Sequence, residues 1–481
     1  MSRALLRSAV LYLAMFPLTG AIFWVVCRQG DALRAPAPGL PSLAGPAAGR
    51  EHVDILPHLL LGMLTILLAA RLLGWAFARL RQPPVMGEVL AGILLGPSVL
   101  GWVWPGGEAL SFPPVVEPYL AAIAQVGVVL YMFLIGLELN PALIRGRARA
   151  TVAISHASIV VPFALGSSIA LFTYPRLSSS DVPFTSFALF SGVALSVTAF
   201  PVLARILSDR QLQASRLGVI ALACAAAADV TAWCLLALVV GVVHAAVGQA
   251  VLTIILAMVY LAIMLLICRP LVHRLVARFE HAQAMTQAMM GAVFVALLAS
   301  SLVTELIGIH ALFGAFLLGA IVPPESRLAR EVGSRLEDLV AVLLLPAFFA
   351  VTGLRTEIGL VSGGTAWLTV GLLVVVASLG KFGGTYVAGR LTGLGVYDAS
   401  ALGIMMNTRG LMELIVLNIG LDLRILSPTL FSMFVLMALA TTFLTTPIID
   451  ALMPRTTLGG TRTAYHPRRP DPAEPEPRSP A

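Results

Sequence analysis

The sequence predicts an all-α polytopic membrane protein containing an inverted repeat, and three observations lead there. First, 58% of its 481 residues are hydrophobic and only 11% are charged, with a mean hydropathy of +0.93; a typical soluble domain is about 45–50% apolar and about 25% charged. Second, the apolar residues gather into fourteen runs of membrane length joined by short loops, and at roughly 20 residues per span almost nothing is left for an extramembrane domain. Third, two pairs of glycine-containing segments repeat in order at a nearly constant offset. A soluble enzyme is excluded, no enzymatic activity and no cofactor are expected, and any chemistry takes place inside the bilayer.

The runs lie at about 8–27, 55–79, 84–102, 117–139, 150–174, 184–205, 217–243, 248–268, 284–304, 308–324, 338–354, 365–391, 399–421 and 427–452. The first follows Arg3 and Arg7, as a secretory signal peptide would. Its apolar core is longer than the usual ~7–15 residues, so it reads as a retained helix. With the Pro/Gly/Ala-rich outer linker behind it, this extra N-terminal helix forms a unit at 1–54. Residues 55–453 form the main membrane domain, and 454–481, rich in proline, arginine and glutamate, read as a disordered cytoplasmic tail.

Thirty of the 31 basic residues are arginine, as GC-rich bacterial DNA favours. The single lysine, Lys381, lies inside an apolar run, at a position where arginine would not serve. With the N-terminus inside, 22 basic residues fall in cytoplasmic segments and 6 in outer ones, while Arg71, Lys381 and Arg409 remain within runs. Cytoplasmic loops are enriched in Lys and Arg, so this split puts both termini in the cytoplasm. The net charge of +7 is therefore topology, and no nucleic-acid partner is expected. Cys27, Cys224, Cys234 and Cys268 show no CxxC spacing, so neither a zinc site nor a disulfide framework is suggested.

The repeat matches LAGILLGP (90–97) with GAFLLGAIVP from Gly314, setting Gly96 on Gly319. It also matches MFLIGLEL (132–139) with FFAVTGLRT from Phe348, setting Gly136 on Gly353 at an offset of 217. Seven runs separate the members of each pair, an odd number, so the halves insert with opposite orientation. Inverted repeats of this kind characterise secondary transporters, whose sites lie at the membrane midplane on interrupted helices. The glycines by themselves require only close helix packing.

Charged groups at membrane depth cost several kcal/mol, which makes each a functional candidate. Asp229 sits near the middle of run 217–243 behind four alanines, with no basic residue on its own helix to pair with. Lys381 lies about two-thirds along run 365–391, and Arg409 is followed one helical turn later by Glu413. Each has a structural alternative: a hydrogen-bonded structural carboxylate for Asp229, a counter-ion for Lys381, an ion pair bracing a broken helix for Arg409 and Glu413. Two runs are punctuated for breakage, by Pro201 in SVTAFPVL and by Asn407, Thr408 and Gly410 in MMNTRGLM. Half-helix ends expose carbonyls on one side of a break and amides on the other. With a carboxylate and a lysine, they supply the parts of a cation site that protons can contest.

Seven segments in order, VMGEVLAGILLGPSVLG (85–101), VVLYMFLIGLELN (128–140), ALSVTAFPVLARIL (194–207), ADVTAW (228–233), ALFGAFLLGAIVP (311–323), LPAFFAVTGLRT (345–356) and MNTRGLMELIVLNIGL (406–421), make the chain resemble the second family of monovalent cation:proton antiporters over about residues 55–452. The resemblance implies an inverted-repeat antiporter fold of about thirteen core helices plus the extra N-terminal one. It divides the fold into a dimerisation domain and a mobile core domain with two crossed, broken helices, here 184–205 and 399–421. It also implies an ion-binding aspartate four residues before a tryptophan. Trp233 sets that register on Asp229, and Ala228 stands where many members carry a second aspartate. In the family that loss goes with electroneutral exchange. Lys381 matches the family lysine that can pair with the missing carboxylate. Only about 28 residues follow the last run, so the soluble nucleotide-binding domain of some potassium-efflux relatives is not expected.

The expected function is exchange of Na⁺ or K⁺ for protons across the bacterial cytoplasmic membrane by alternating access, in a lipid-embedded homodimer. The expected ion- and proton-binding residues are Asp229, Thr198, Ser196 and Asn407, with the monovalent cation at Asp229. Lys381 is expected to balance charge or couple to protons, and Arg409 with Glu413 to hold the second break. Two other functions compete: a potassium efflux channel of related fold, and an exporter of an organic or ionophore-bound cation.

Overall fold

The computed structural model describes residues 3–36, 54–138, 148–210, 212, 215–243, 247–279 and 286–452. The predicted tail at 454–481 and most of the outer linker lie outside the described residues, as do Arg145 and Arg147 among the loop arginines. The first helices are α1 (Arg3–Gly30), α2 (Ile55–Arg79), α3 (Pro84–Leu95), α4 (Glu117–Glu138) and α5 (Ala148–Leu177). A broken pair, α6 (Phe184–Ser196) and α7 (Phe200–Asp209), precedes α8 (Arg216–Val243). Then come α9 (Val247–Ile263), α10 (Gln287–Ile307), α11 (Ala311–Ile321), α12 (Arg327–Leu339), α13 (Leu345–Leu354) and α14 (Gly363–Leu391). A second broken pair, α15 (Val396–Met406) and α16 (Leu411–Asp422), leads to α17 (Pro428–Leu452). No strand occurs among the described residues. Among the described residues, ten helical stretches are long and apolar enough to cross a membrane, and α6, α11 and α15 are shorter apolar helices.

Each of the fourteen predicted runs falls on one of these helices or on a consecutive pair, with three departures. The third run is interrupted at Gly96, resuming as a short helix at Leu100–Val103, and the tenth ends early at Val322, because each of these residues precedes a proline and adopts extended backbone. Two other runs continue past their apolar windows. A π-helical turn (Met264–Cys268) carries α9 into the basic helix Arg269–Phe279, and another (Val340–Leu344) joins polar α12 to α13. Ser326 caps α12, its Oγ accepting from Ala329 N at 3.1 Å, and Ala329, Val332 and Leu336 face inward while Arg330 and Arg335 face out. Finally, the first break precedes Pro201. Residues 197–199 are non-helical and the proline lies in the first turn of α7, where no amide is needed.

The helices pack as two units. One gathers α2, α3, α4, α10, α11 and α12–α13; the other gathers α5, α6–α7, α8, α14, α15–α16 and α17, with α1 laid on α5. Rings join α1 to α5, Phe23 to Phe163 at 5.9 Å and Phe16 to His156 at 6.0 Å between centroids. Within the first unit, the inverted repeat appears as two equivalent crossings. Gly353 of α13 lies against Val89, Gly92 and Ile93 of α3, and Gly319 of α11 lies against Phe133, Gly136 and Leu137 of α4. In both, a Cβ on either glycine would run into the partner's backbone. By contact the partner of Gly319 in the repeat is Gly92, one turn before the Gly96 that sequence matching selects.

Candidate functional site

The two broken pairs cross inside the second unit. Where α6 stops at Ser196, Val197 is extended, and the Ala199 amide donates to the Thr408 carbonyl of the other break at 3.0 Å. Thr198 Oγ1 donates to Met406 O at 3.4 Å. The second break is braced by α17: Arg409 N donates to Thr442 Oγ1 (3.0 Å), and that hydroxyl donates to Arg409 O (2.8 Å). One threonine thus satisfies both backbone groups of a residue that no helix serves.

Two buried cations cover the carbonyl end of α6. The Arg409 guanidinium donates from Nη1 to Ala194 O (3.2 Å) and from Nη2 to Leu195 O (2.8 Å). Lys381, fully buried on α14, donates to the Ser196 carbonyl and, at 2.5 Å, to Thr198 Oγ1. Cations are favourable at a helix C-terminus, where unpaired carbonyls carry partial negative charge. At the amide end of α16, Glu413 lies in the first turn with Oε2 3.0 Å from Arg409 Nη1, and both side chains are fully buried. The pair meets by distance, though its angle falls short of a hydrogen bond.

Asp229 of α8 is 3% exposed, and neither carboxylate oxygen has a hydrogen-bond partner. The backbone N–H of Phe200, opening α7, faces it without full hydrogen-bond geometry, and the Lys381 charge acts on it from outside ion-pair distance. Ala228, 1% exposed, belongs to an apolar cluster with Ala199, Leu402, Met405 and Met406.

Three of the four half-helix ends are therefore faced by a fixed charge of the favourable sign: α6 by Lys381 and Arg409, α16 by Glu413, α7 by Asp229. The fourth, the carbonyl end of α15, receives only neutral donors among the described residues. These are Thr198 Oγ1 on Met406 O, Thr408 Oγ1 (2.8 Å) and Thr408 N (3.2 Å) on Met405 O, and the Asn407 backbone amide on Ile404 O (3.1 Å). Asn407 Nδ2 is turned to Ser378 Oγ at 3.3 Å, and Asn407 Oδ1 is buried without a partner.

The structure brings Ser196, Thr198 and Lys381 into direct contact, and likewise Arg409 and Glu413. Asp229 and Asn407 stand beside these groups without bonding to them. Ser196 takes part through its backbone carbonyl, while its hydroxyl donates to Val193 O at 2.9 Å. Sequence reasoning missed Thr442 and Ser378, and also Thr385, a fully buried hydroxyl without a partner one turn beyond Lys381. Hydroxyls inside apolar runs were the available signal.

Comparison with known proteins places this arrangement. Residues 64–454 match the family described as sodium/hydrogen exchanger, transmembrane. The Na⁺/H⁺ antiporter NhaS4 of Synechocystis sp. is 41% identical over 398 residues, 82% of this chain and 97% of that protein. Cation/H⁺ antiporter 17 of Arabidopsis thaliana is 39% identical over 84% of this chain and 49% of its own length. K⁺/H⁺ antiporter 1 of Saccharomyces cerevisiae is 33% identical over 82% of this chain and 46% of its own. The chain thus spans nearly all of the cyanobacterial relative and about half the length of the plant and yeast ones. The sodium proton antiporter MjNhaP1 of Methanocaldococcus jannaschii, solved at pH 8, shares the fold with a TM-score of 0.61 at 13% identity, over 82% of this chain and 97% of that one. By the family match and by its identity to NhaS4, the chain belongs to the sodium/hydrogen exchanger transmembrane family.

Proposed function

We propose that the protein exchanges a monovalent cation, Na⁺ or K⁺, for protons by alternating access, with the α5–α8 and α14–α17 unit moving against the α2–α4 and α10–α13 unit. The family is one of transporters, the chain is a multi-pass membrane protein, and the relatives named above are antiporters. The observation that carries the mechanism is Asp229, a buried carboxylate with both oxygens unpartnered on a helix that packs against α15, whose carbonyl end receives only neutral donors among the described residues. The transported ion sits between Asp229 and the end of α15, with Asn407 Oδ1 as a further oxygen, and neutralises the carboxylate as a proton does when the ion leaves. Lys381 holds the Ser196 carbonyl and the Thr198 hydroxyl, so those oxygens reach the ion only if the ammonium yields them.

The protein lies in the bacterial cytoplasmic membrane with both termini inside, as the arginine distribution supports, and works as a homodimer among membrane lipids. The domain boundaries are an accessory helix with its linker at 1–54, the exchanger domain at 55–453 and a cytoplasmic tail at 454–481. Proteoliposomes carrying an internal pH dye test the exchange. Adding Na⁺ or K⁺ outside should move protons in proportion, and a scan of Li⁺, Na⁺, K⁺ and Rb⁺ ranks the ions. Cation flux without proton movement would be channel behaviour and would end this reading.

A further inference from the structure

The seam between the two units has two kinds of contact. Along α3 it is largely apolar: Val85, Met86 and Val89 face Leu414, Ala438 and Leu439 around a cavity of only about 10 Å³ that Arg409, Gly410 and Thr442 also line, and just ahead of α3 one hydrogen bond crosses, from Gln82 Nε2 to Phe443 O of α17 at 3.3 Å. At the ends of α13 and α16 it is polar. Asn418 Nδ2 of α16 donates to Thr352 Oγ1 of α13 at 2.9 Å. Arg355, just past the end of α13, donates from Nη1 to Asp422 Oδ1 at 2.9 Å and to Asn418 Oδ1 at 3.3 Å. Thr352 and Arg355 are three residues apart, Asn418 and Asp422 four, so each pair lies on one helix face. Arg355 Nε also lies 3.9 Å from Glu117 Oε1, which holds the guanidinium to its own unit through α4. Nearby, the Glu357 amide donates to Ser432 Oγ of α17 at 2.9 Å. Apolar surfaces can slide across one another with little directional penalty, whereas hydrogen bonds lose their geometry within about an ångström. At the outer end of the seam, resistance to relative motion of the units is therefore concentrated at this corner, where several hydrogen bonds cross against the single one from Gln82 at the opposite end, and Thr352 and Asn418 are 1% and 9% exposed.

We infer that Thr352 and Arg355 on one unit, with Asn418 and Asp422 on the other, form a clasp that closes the outer end of the seam and opens once in every transport cycle. This rests on the alternating-access reading and on the orientation given above. The clasp holds the outward-closed state, and Glu117 retains Arg355 when Asp422 departs, so the same contacts re-form on return.

Thr352→Cys/Asn418→Cys, in a chain with its four native cysteines changed to alanine, supplies the test. Wild-type and reduced double-cysteine protein are first assayed for cation-driven proton flux; if neither shows any, the exchange reading fails. Where both exchange, cross-linking the pair should abolish flux and reduction should restore it. Flux that persists through complete cross-linking would overturn the clasp. A second measurement needs neither the cross-link nor transport. A membrane-impermeant maleimide, added outside, should label Thr352→Cys on the order of threefold faster when Asp422→Asn is also present, as expected for loss of a partly exposed ion pair. Labelling that is unchanged would make the contact a permanent tie between the units and overturn the proposal.

Discussion

Glu413 meets Arg409, while Asp229, the other carboxylate near the crossing, has no fixed partner. A buried charge without a partner is expensive, so this position is tolerable only if something mobile neutralises it. Asp229→Asn should therefore abolish cation-coupled proton flux and leave the folded protein in the membrane, as judged by gel filtration and thermal unfolding in detergent. Persisting flux would remove Asp229 from the site. The opposite pattern is expected at Arg409 and Glu413, which brace the break. Arg409→Ala strands Glu413 and frees two carbonyls of α6, at a cost of about 3–5 kcal/mol. Arg409→Ala/Glu413→Ala should unfold at a higher temperature than Arg409→Ala alone, and strict additivity in the double-mutant cycle would contradict the pairing. Thr442→Val removes the only side-chain partner of the Arg409 backbone among the described residues, so a loss of about 1–3 kcal/mol is expected with the charges untouched. These charges were legible in the sequence because ionisable groups in apolar runs are rare. Thr442 was not, since threonine in a membrane helix attracts no notice and only the fold brings it to residue 409. Ser196 could be expected to offer either its hydroxyl or its carbonyl, and the structure engages the carbonyl, which every residue possesses, while the hydroxyl turns back to Val193 O.

At the level of helices, hydrophobic windows located every run because the bilayer selects for them. They lost the ends wherever a helix leaves the membrane: the basic extension of α9 and the polar α12 are helical by capping and by burial of one face, which an apolar window cannot register. Pro201 marked the first break but not its position, since proline fits the first turn of the helix that follows. The repeat was legible through its glycines, although the crossings set the equivalence one turn away on α3. That correction has a measurable consequence. Gly136 and Gly353 occupy equivalent crossings, so Gly136→Val and Gly353→Val should each cost about 1–3 kcal/mol by overpacking, with similar falls in melting temperature. A substitution at Gly359, which has open space where its Cβ would lie, serves as the control. If only one of the two crossing variants is destabilised, the crossings are not equivalent.

Across the whole molecule, the charge moved per cycle depends on how many groups at the crossing change protonation, and two residues limit that number. Ala228 fills the place of a second carboxylate, and its apolar surroundings of Leu402, Met405 and Met406 offer a proton no site there. On the proposed site at Asp229, which a proton and a monovalent cation neutralise equally, the unit would carry the same net charge in both directions, and exchange is expected to be electroneutral. Lys381 is a second titratable group at the crossing, and release of its proton would change this result. Its ammonium is seated on the Ser196 carbonyl at the negative end of α6 and on the Thr198 hydroxyl, contacts that remain within its own unit as that unit moves. We therefore expect it to keep its proton through the cycle. Recordings on solid-supported membranes should show no sustained transport current under a cation gradient that drives clear proton movement in the dye assay. A sustained current, with a reversal potential fitting two protons per cation, would make Lys381 a second proton carrier. Lys381→Arg separates the cases, because arginine keeps its charge at any working pH and cannot release the proton. If Lys381 acts as a fixed charge, exchange should survive this substitution at reduced rate, with the wider guanidinium straining the same two oxygens. If it carries protons, Lys381→Arg should abolish the current, and any exchange that remains should be electroneutral.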